Sequence, residues 1–336
     1  MKDNRLPLGK LPFPFLEKLL SIIPLKDKRI ISRPGIGRDV AVIEMGEKFF
    51  ALKTDPITLS GKLQGWYLVH VNANDVVTSG AEPRWLLVTA LLPKGYLKKE
   101  AEELMRDLVE ACRELNISLI GGHSEVTEAV NQPTLIGFML GEGKRELLLT
   151  PEKVEAGDDI ILSKGIAIEG TSIIAREREK ALARFLAQST IDRAKNFLFD
   201  PGISVVKEAM ILSRAGARYL HDPTEGGIKA GVYEVGYAAK KGVEVKEESI
   251  HVYPETSEIC HIFNLDPYAL LASGALLAVI PREKTPSALE KLGKSGILAQ
   301  KIGKIVEAGY WWVTKEGKKV PLIPSSQDAL LSPPLL

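Results

Sequence analysis

Between Leu63 and Ala81 the chain runs for nineteen residues with one charged side chain, Asp75, where an ordinary quarter-charged chain would place about five. Apolar residues recur at Trp66, Val69, Ala73, Val76, Val77 and Gly80, which is helical spacing. Asn72, Asp75 and Ser79 fall three and four apart on a different face. A helix this poor in Lys and Glu is expected to be buried on most sides. A buried lone carboxylate needs a partner, and the stretch itself holds no Lys or Arg. Either a metal ion or a basic residue distant in sequence must supply the counter-charge. Asp75 is therefore the first site candidate, and HVNANDVVTSGAEP (His70 to Pro83) is the stretch around which the chain is organised.

The length, 336 residues, allows two domains with full cores. A net charge of +1, with Lys and Arg scattered among acids, carries no footprint for nucleic acid or an anionic membrane. Two cysteines, Cys112 and Cys260, can make neither a disulfide framework nor a zinc cluster. Cys112 follows the apolar spacing of its helix and reads as core; Cys260 also reads as buried. No export signal is visible, and the longest apolar run, Leu265 to Pro281, is interrupted by Asp266, Pro267 and Ser273. A cytoplasmic protein is expected.

Taken in order, residues 1–33 form an amino-terminal extension with an amphipathic run, Phe13 to Ile23, stopped by Pro24. Val40 to Glu44 and Lys48 to Lys53 read as a hairpin about Gly46, with Asp39 before its first strand and Asp55 after its second. The helix with Asp75 follows, then strand 85–92, amphipathic helix 98–116, and a short strand 117–120 ending in GGHSEVTEAV. A strand over 133–141 completes an α+β pattern. The polar segment Leu149 to Asp158 marks a domain boundary. Beyond it, helices are expected over 170–188 with a Thr171 cap, 203–215 and 223–241. Strands are expected at 158–163, 243–245, 275–280, 300–306 and 311–313, and a poorly ordered tail at 321–336.

The chain has no GxxxxGK[ST] loop, no HExxH, no GxSxG and no GxGxxG after a strand. It has instead a set of acids next to glycine at the edges of strands and helices: Asp39, Asp55, Asp75, Glu125, Asp222 and Glu225. Magnesium is bound through a few carboxylates, waters and phosphates, and neighbouring glycines let backbone N–H groups approach phosphate oxygens. In HDPTEGG, Asp222 as N-cap, Pro223 at N1 and Glu225 at N3 make a good cap. That cap does not explain Gly226 and Gly227, which in a first helical turn cost about 2 kcal/mol together. Close approach by a packed backbone or by a phosphate would explain them. His123 and His221, beside what read as glycine-rich turns, are candidate general bases.

Together, GIGRDVAV, KTDP, NANDVVTSGAEP, GGHSEVT, SKGIAIEGTSIIA, DPTEGG and DPYALLASGALLAVIP, running from about Pro34 to Ile280, resemble the aminoimidazole-ribonucleotide (AIR) synthetase, or PurM-like, superfamily. The second half looks most like the hydrogenase maturation factor HypE. The resemblance implies an α+β, two-domain PurM-like fold. Its AIR synthase-related ATP-binding domain (34–150) would form a barrel at a homodimer interface, and an α/β carboxy-terminal domain would span 151–320. It implies ATP and Mg2+ as cofactors, with metal on Asp39, Asp55, Asp75 and Asp222. Cofactor contacts would come from Gly35, Gly37, Asn74, Gly121, Gly122, Glu225, Gly226 and Gly227, and catalytic roles fall to Asp75, His123 and Asp222. A small-molecule or protein-borne substrate and a maturation partner protein are implied; nucleic acid and membrane are not. The family usually has two acids in its first glycine loop, where this chain has Arg38 before Asp39. HypE carries its substrate on a cysteine after Pro-Arg-Ile, whereas this sequence closes Ser-Pro-Pro-Leu-Leu, so a changed substrate is expected. A thiamine-monophosphate kinase-like or AIR synthase-like activity and a non-catalytic ATP-binding partner in metallocentre assembly are the alternatives.

Overall fold

The computed structural model describes residue 6 and residues 11–57, 63–324 and 328–331. The chain divides into two compact units. The amino-terminal unit comprises Asp27–Arg33 and Asp39–Leu149; the carboxy-terminal unit comprises Met1–Lys26, Pro34–Arg38 and Thr150–Leu336. In chain order, α1 (Phe13–Ser21) precedes the elements of the amino-terminal unit: β1 (Ile30–Ser32), β2 (Ala41–Met45), β3 (Lys48–Ile57), α2 (Gln64–Thr78), β4 (Glu82–Pro93), α3 (Lys98–Glu114), β5 (Ser118–Thr127) and β6 (Thr134–Lys144).

These strands form one six-stranded sheet, order β1-β2-β3-β6-β4-β5, antiparallel throughout except that β5 runs parallel to β4 at the edge. Helix α2 lies across β3, β6 and β4, with α3 beside it. As its missing charges require, α2 is buried along nearly its whole length. Glycine makes the close seat possible. A Cβ at Gly141 of β6 would lie 2.4 Å from Val76 Cγ1 and 2.9 Å from the Glu82 carbonyl, and one at Gly137 would meet Asn72. On the other side of α2, a Cβ at Gly65 would strike the α3 backbone, 2.8 Å from Leu108 N.

Two expectations change in this unit. Asp55 lies inside β3, which runs on to Ile57, not after its end. GGHSEVT lies within the long strand β5 and is no loop, so His123 sits on a strand and not beside a turn. Gly121 and Gly122 mark a bulge against β4, where the pairing shifts between Leu86 and Leu87. A Cβ on Gly122 would sit 1.9 Å from Val88 O, so the backbone alone requires glycine there.

The carboxy-terminal unit continues with β7 (Asp159–Ser163), α4 (Ile168–Glu177), α5 (Glu179–Leu182), α6 (Gln188–Asn196), α7 (Val206–Ala215), β8 (Tyr219–His221), α8 (Gly227–Ala239), β9 (Gly242–Lys246), α9 (Pro254–Phe263), β10 (Leu276–Ile280), α10 (Thr285–Lys294), β11 (Ala299–Val306), β12 (Tyr310–Val313) and β13 (Lys319–Pro321). The seven strands order as β13-β12-β9-β11-β7-β10-β8. All pair antiparallel except β12 with β9, so the unit mixes helices and strands without parallel βαβ repeats. β7 and β10 pair with each other and are buried along their whole length. One core packs α8 on the sheet through Ile228, Val232 and Val235; another gathers α4, α6 and α9.

Three expectations are overturned here. The helix expected over 170–188 is two, α4 and α5, with α6 starting only where it was to end; Thr171 lies inside α4, its hydroxyl 2.8 Å from that of Thr256, and is no cap. The chain also holds α9, α10, β8 and β13, which short or polar segments concealed. Of the tail, Asp328 and Leu330 are buried; residues 325–327 and 332–336 lie outside the described residues. Both cysteines are buried as expected, and burial pushes the Cys112 thiol up to about 11. Among the described residues no helix is long and apolar enough to cross a membrane.

The glycine contacts set a stability test. Gly141→Ala forces α2 off the sheet and is expected to cost about 1–3 kcal/mol in denaturant unfolding. Gly293→Ala, in the last turn of α10 with nothing within 4 Å of its added methyl, is expected to be neutral or to stabilise by up to about 1 kcal/mol.

Candidate functional site

In the amino-terminal unit, β3 presents Lys53 and Asp55 on one face, two residues apart. The packing of α2 over β3 brings Asp75 down onto them. Lys53 Nζ lies 3.1 Å from Asp75 Oδ2 and 3.6 Å from Asp55 Oδ2. Asp39, just ahead of β2, is close enough for its charge to act on both Lys53 and Asp75. Lys53 is thus the distant base that the buried carboxylate required. The counter-charge is supplied within the fold, and the absence of basic residues around Asp75 in sequence does not by itself point to a metal.

The electrostatics run in both directions. Burial pushes the Asp75 carboxyl up, Lys53 pulls it down, and Asp39 and Asp55 push it further up, with a net value of about 7. Burial alone would pull the Lys53 ammonium down, but the attraction of Asp75, Asp55 and Asp39 outweighs it, and the group is held above its usual range. Three carboxylates surround one ammonium, so negative charge remains in excess. Asp75 Oδ2 is buried and has Lys53 as its ion-pair partner but no well-formed hydrogen bond. Carboxylate oxygens with spare charge are the kind of donor magnesium takes, and Lys53 Nζ stands between those of Asp75 and Asp55.

Around this cluster, Asn72 turns its amide to the backbone, donating to Leu68 O at 2.8 Å. Asn74 is buried beside Asp75. His123 is not brought to the acids. It lies on β5, three strands from β3, a separation of about 14 Å in the sheet, and its Nε2 sits 3.2 Å from Glu125 Oε2 on the exposed edge.

In the carboxy-terminal unit, Asp222 follows β8 and is buried, and His221 Nε2 lies 2.8 Å from Glu234 Oε2 of α8. The expected cap is absent. α8 begins at Gly227, so Asp222, Pro223 and Glu225 lie outside it in a preceding loop. Gly226 and Gly227 have φ of 80° and 67°, a left-handed turn into the helix that glycine makes without strain. A Cβ on Gly227 would lie 2.5 Å from Tyr268 O, so of the two explanations for this pair, packed backbone accounts for Gly227.

Gly37 has the same kind of reason: its Cβ would meet the Glu234 carbonyl at 2.8 Å. Gly35 has a Cβ position in ordinary contact only, with Arg38. Arg38, which stands before Asp39 where the resemblance implies a first acid, forms an ion pair with Glu152 and holds that carboxyl low against the effect of burial.

Sequence reasoning missed two residues. Lys53 was legible in KTDP, since a lysine two positions before Asp55 on a strand shares its face. Glu169, the lone acid of GIAIEGTSIIA, is buried in the first turn of α4. Burial pushes its carboxyl up to about 7, against a hydrogen bond with Ser273 and with further push from Asp328 and Glu225. The argument made for Asp75 applies to it equally.

A carboxyl that keeps its proton to about pH 7 when folded, and only to about 4.5 when unfolded, binds more protons in the native state across that window. Stability is therefore lost as pH rises through it. Glu169→Gln is expected to remove that loss: between pH 5 and 8 the variant should gain on the native chain by up to about 3 kcal/mol in chemical denaturation.

Against known proteins, the AIR synthase related protein, N-terminal domain, family matches residues 37–142, and the AIR synthase related protein, C-terminal domain, family matches residues 155–311. A putative hydrogenase expression/formation protein of Methanocaldococcus jannaschii is 26% identical over 317 residues, 91% of this chain and 89% of that protein. Carbamoyl dehydratase HypE of Bradyrhizobium diazoefficiens is 25% identical over 260 residues, 75% of this chain and 72% of that protein. In a crystal structure of a HypE–HypF complex, one chain is similar with a TM-score of 0.74 at 20% identity, covering 93% of this chain and 99% of that one. A crystal structure of the hydrogenase maturation protein HypE in complex with ATP gives a TM-score of 0.71 at 21% identity, covering 93% and 95%. With both halves matched in order over a two-unit mixed α and β fold, the chain belongs to the AIR synthase related, PurM-like family.

Proposed function

We propose that this chain is an ATP- and magnesium-dependent enzyme of the HypE type, which phosphorylates and so activates an amide or other oxygen of a small or protein-borne substrate. The observation that carries the reading is the convergence of Asp39, Asp55 and buried Asp75 on Lys53. The similarity to carbamoyl dehydratases and to a HypE bound to ATP supports it. In such a transfer the substrate oxygen attacks the γ-phosphorus, the P–O bond to ADP breaks, and ADP leaves with the electron pair. With an amide substrate the phosphate then leaves carbon, and the nitrogen gives up two protons to form a nitrile.

The chain's own work is positioning and charge. Asp39, Asp55 and Asp75 would hold magnesium, which when bound neutralises charge on the transferring phosphoryl group. Lys53 keeps the carboxylates in place and offers an ammonium to phosphate oxygens. Asn74, Gly35, Asp222, Glu225 and Gly226 are the residues we assign to ATP and phosphate contacts.

Asp75→Asn and Asp55→Asn are expected to lower magnesium-dependent ADP release with an amide substrate by at least about 100-fold without lowering the melting temperature. Product masses from a panel of amide and oxyanion substrates would identify the oxygen that is phosphorylated. Unchanged turnover in both variants would remove the metal assignment, and ATP binding without consumption on any substrate would favour a non-catalytic assembly partner.

We also assign the sheet of the amino-terminal unit to a homodimer interface, closing a barrel with its copy. Helices cover one face of this sheet. The other carries Phe50, Leu52, Trp85, Leu87, Phe138 and Leu140, with Phe138 37% exposed. Edge strand β5 leaves Ile120 and Val126 at 55% and 62% exposure, an unpaired apolar edge of the kind that natural sheets cover. Phe138→Glu is expected to give a monomer in sedimentation equilibrium. A maturation partner protein, as in the HypE–HypF complex, belongs to the same reading.

A further inference from the structure

In the carboxy-terminal unit the Asp222–Gly227 loop is tied at three points. Ala272 N donates to Thr224 O at 3.1 Å, and Gly227 packs against the Tyr268 carbonyl. The third tie comes from more than a hundred residues away. Asp328 Oδ2 accepts from Gly226 N at 2.8 Å, while its Oδ1 accepts from Leu271 N at 3.3 Å and from Leu330 N at 2.8 Å. Asp328 is 5% exposed, and Leu330 beside it is packed into the core formed with Ile174, Ile259 and Leu270. One carboxylate therefore joins the glycine turn that opens α8, the loop ahead of β10 and the chain's own carboxy-terminal segment.

An acceptor shared among three backbone donors is expensive to leave unmade, because each buried N–H loses its partner together. It also sets geometry. Gly226 stands four residues after Asp222 in a turn with left-handed backbone at two successive positions, a conformation with little intrinsic preference and so dependent on its ties. Buried Glu169, held by Ser273, lies near enough to feel both Asp328 and Glu225. The strap therefore packs among acids, where a carboxylate without these backbone donors would be repelled.

We propose that Asp328 is a positioning residue for the Asp222–Gly227 loop, the carboxy-terminal segment Asp328–Leu331 acting as a clip that sets the placement of Asp222. The role in turnover rests on the ATP reading above; the clip itself does not. Asp328→Ala opens all three donors, and Asp328→Asn keeps shape and packing but turns an amide donor toward one of them. Hydrogen–deuterium exchange at the Gly226 amide, melting temperature, and KM and kcat for magnesium-ATP would be measured for both variants and for Asp328→Glu.

We expect exchange at Gly226 to rise about tenfold or more in both the Ala and Asn variants, with KM up about tenfold, kcat changed less than about threefold, and partial recovery in Asp328→Glu. Melting of the Asn variant should stay within a few degrees of the native chain. Unchanged exchange at Gly226 in a folded Asn variant overturns the clip. Raised exchange with native KM and kcat overturns the positioning role. A native chain that neither binds nor consumes ATP counts against the ATP reading alone, and exchange then decides the clip without it.

Discussion

The amino-terminal unit depends on how closely one helix can lie against one sheet. α2 carries almost no charge, so water gives it nothing to hold, and its stability comes from burying both flanks. Gly137 and Gly141 on the sheet side and Gly65 on the α3 side remove the side chains that would stand between backbones. That depth carries Asp75 to Lys53. With a methyl group at each of these positions the helix would ride higher and the ion pair at 3.1 Å would open. Packing at three glycines and the chemistry of one carboxylate are therefore the same problem.

Much of this was readable from residue order. The burial of α2 followed from a charge count, and the hairpin ahead of it from alternation and a Gly46 turn. The family pattern, running from GIGRDVAV to SGALL, pointed to a two-domain fold, and the family matches cover both parts. What resisted reading was glycine used for different ends. In GGHSEVT the pair relieves a bulge inside a strand, and in TEGG it turns the chain into a helix, yet both look like loops because local propensity is the same in each. Only the partner surface distinguishes them: Val88 O in one case, Tyr268 O in the other.

The capping reading of HDPTEGG failed for a related reason. Asp, Pro and Glu at the right offsets satisfy a cap only if the next residue takes a helical φ, and Gly226 does not. With capping removed, Asp222 is a buried acid whose place at the end of β8 is not accounted for by helix stability. Asp328 was invisible for the opposite cause. Its partners are backbone N–H groups, which every non-proline residue has, so nothing in the sequence of the tail distinguishes it from a solvated terminus.

Lys53 has a consequence for how the protein comes into being. Small domains whose acids or thiolates have no internal counter-charge wait for their ion before they fold, and chelators unfold them. Here the ammonium on β3 already stands among Asp39, Asp55 and Asp75. If the proposed magnesium site is real, the chain can reach its native state in metal-poor surroundings and would take up the ion afterwards, by mass action. Assembly and loading would then be separate events, and a scarcity of metal would leave a store of folded, idle protein instead of an unfolded one.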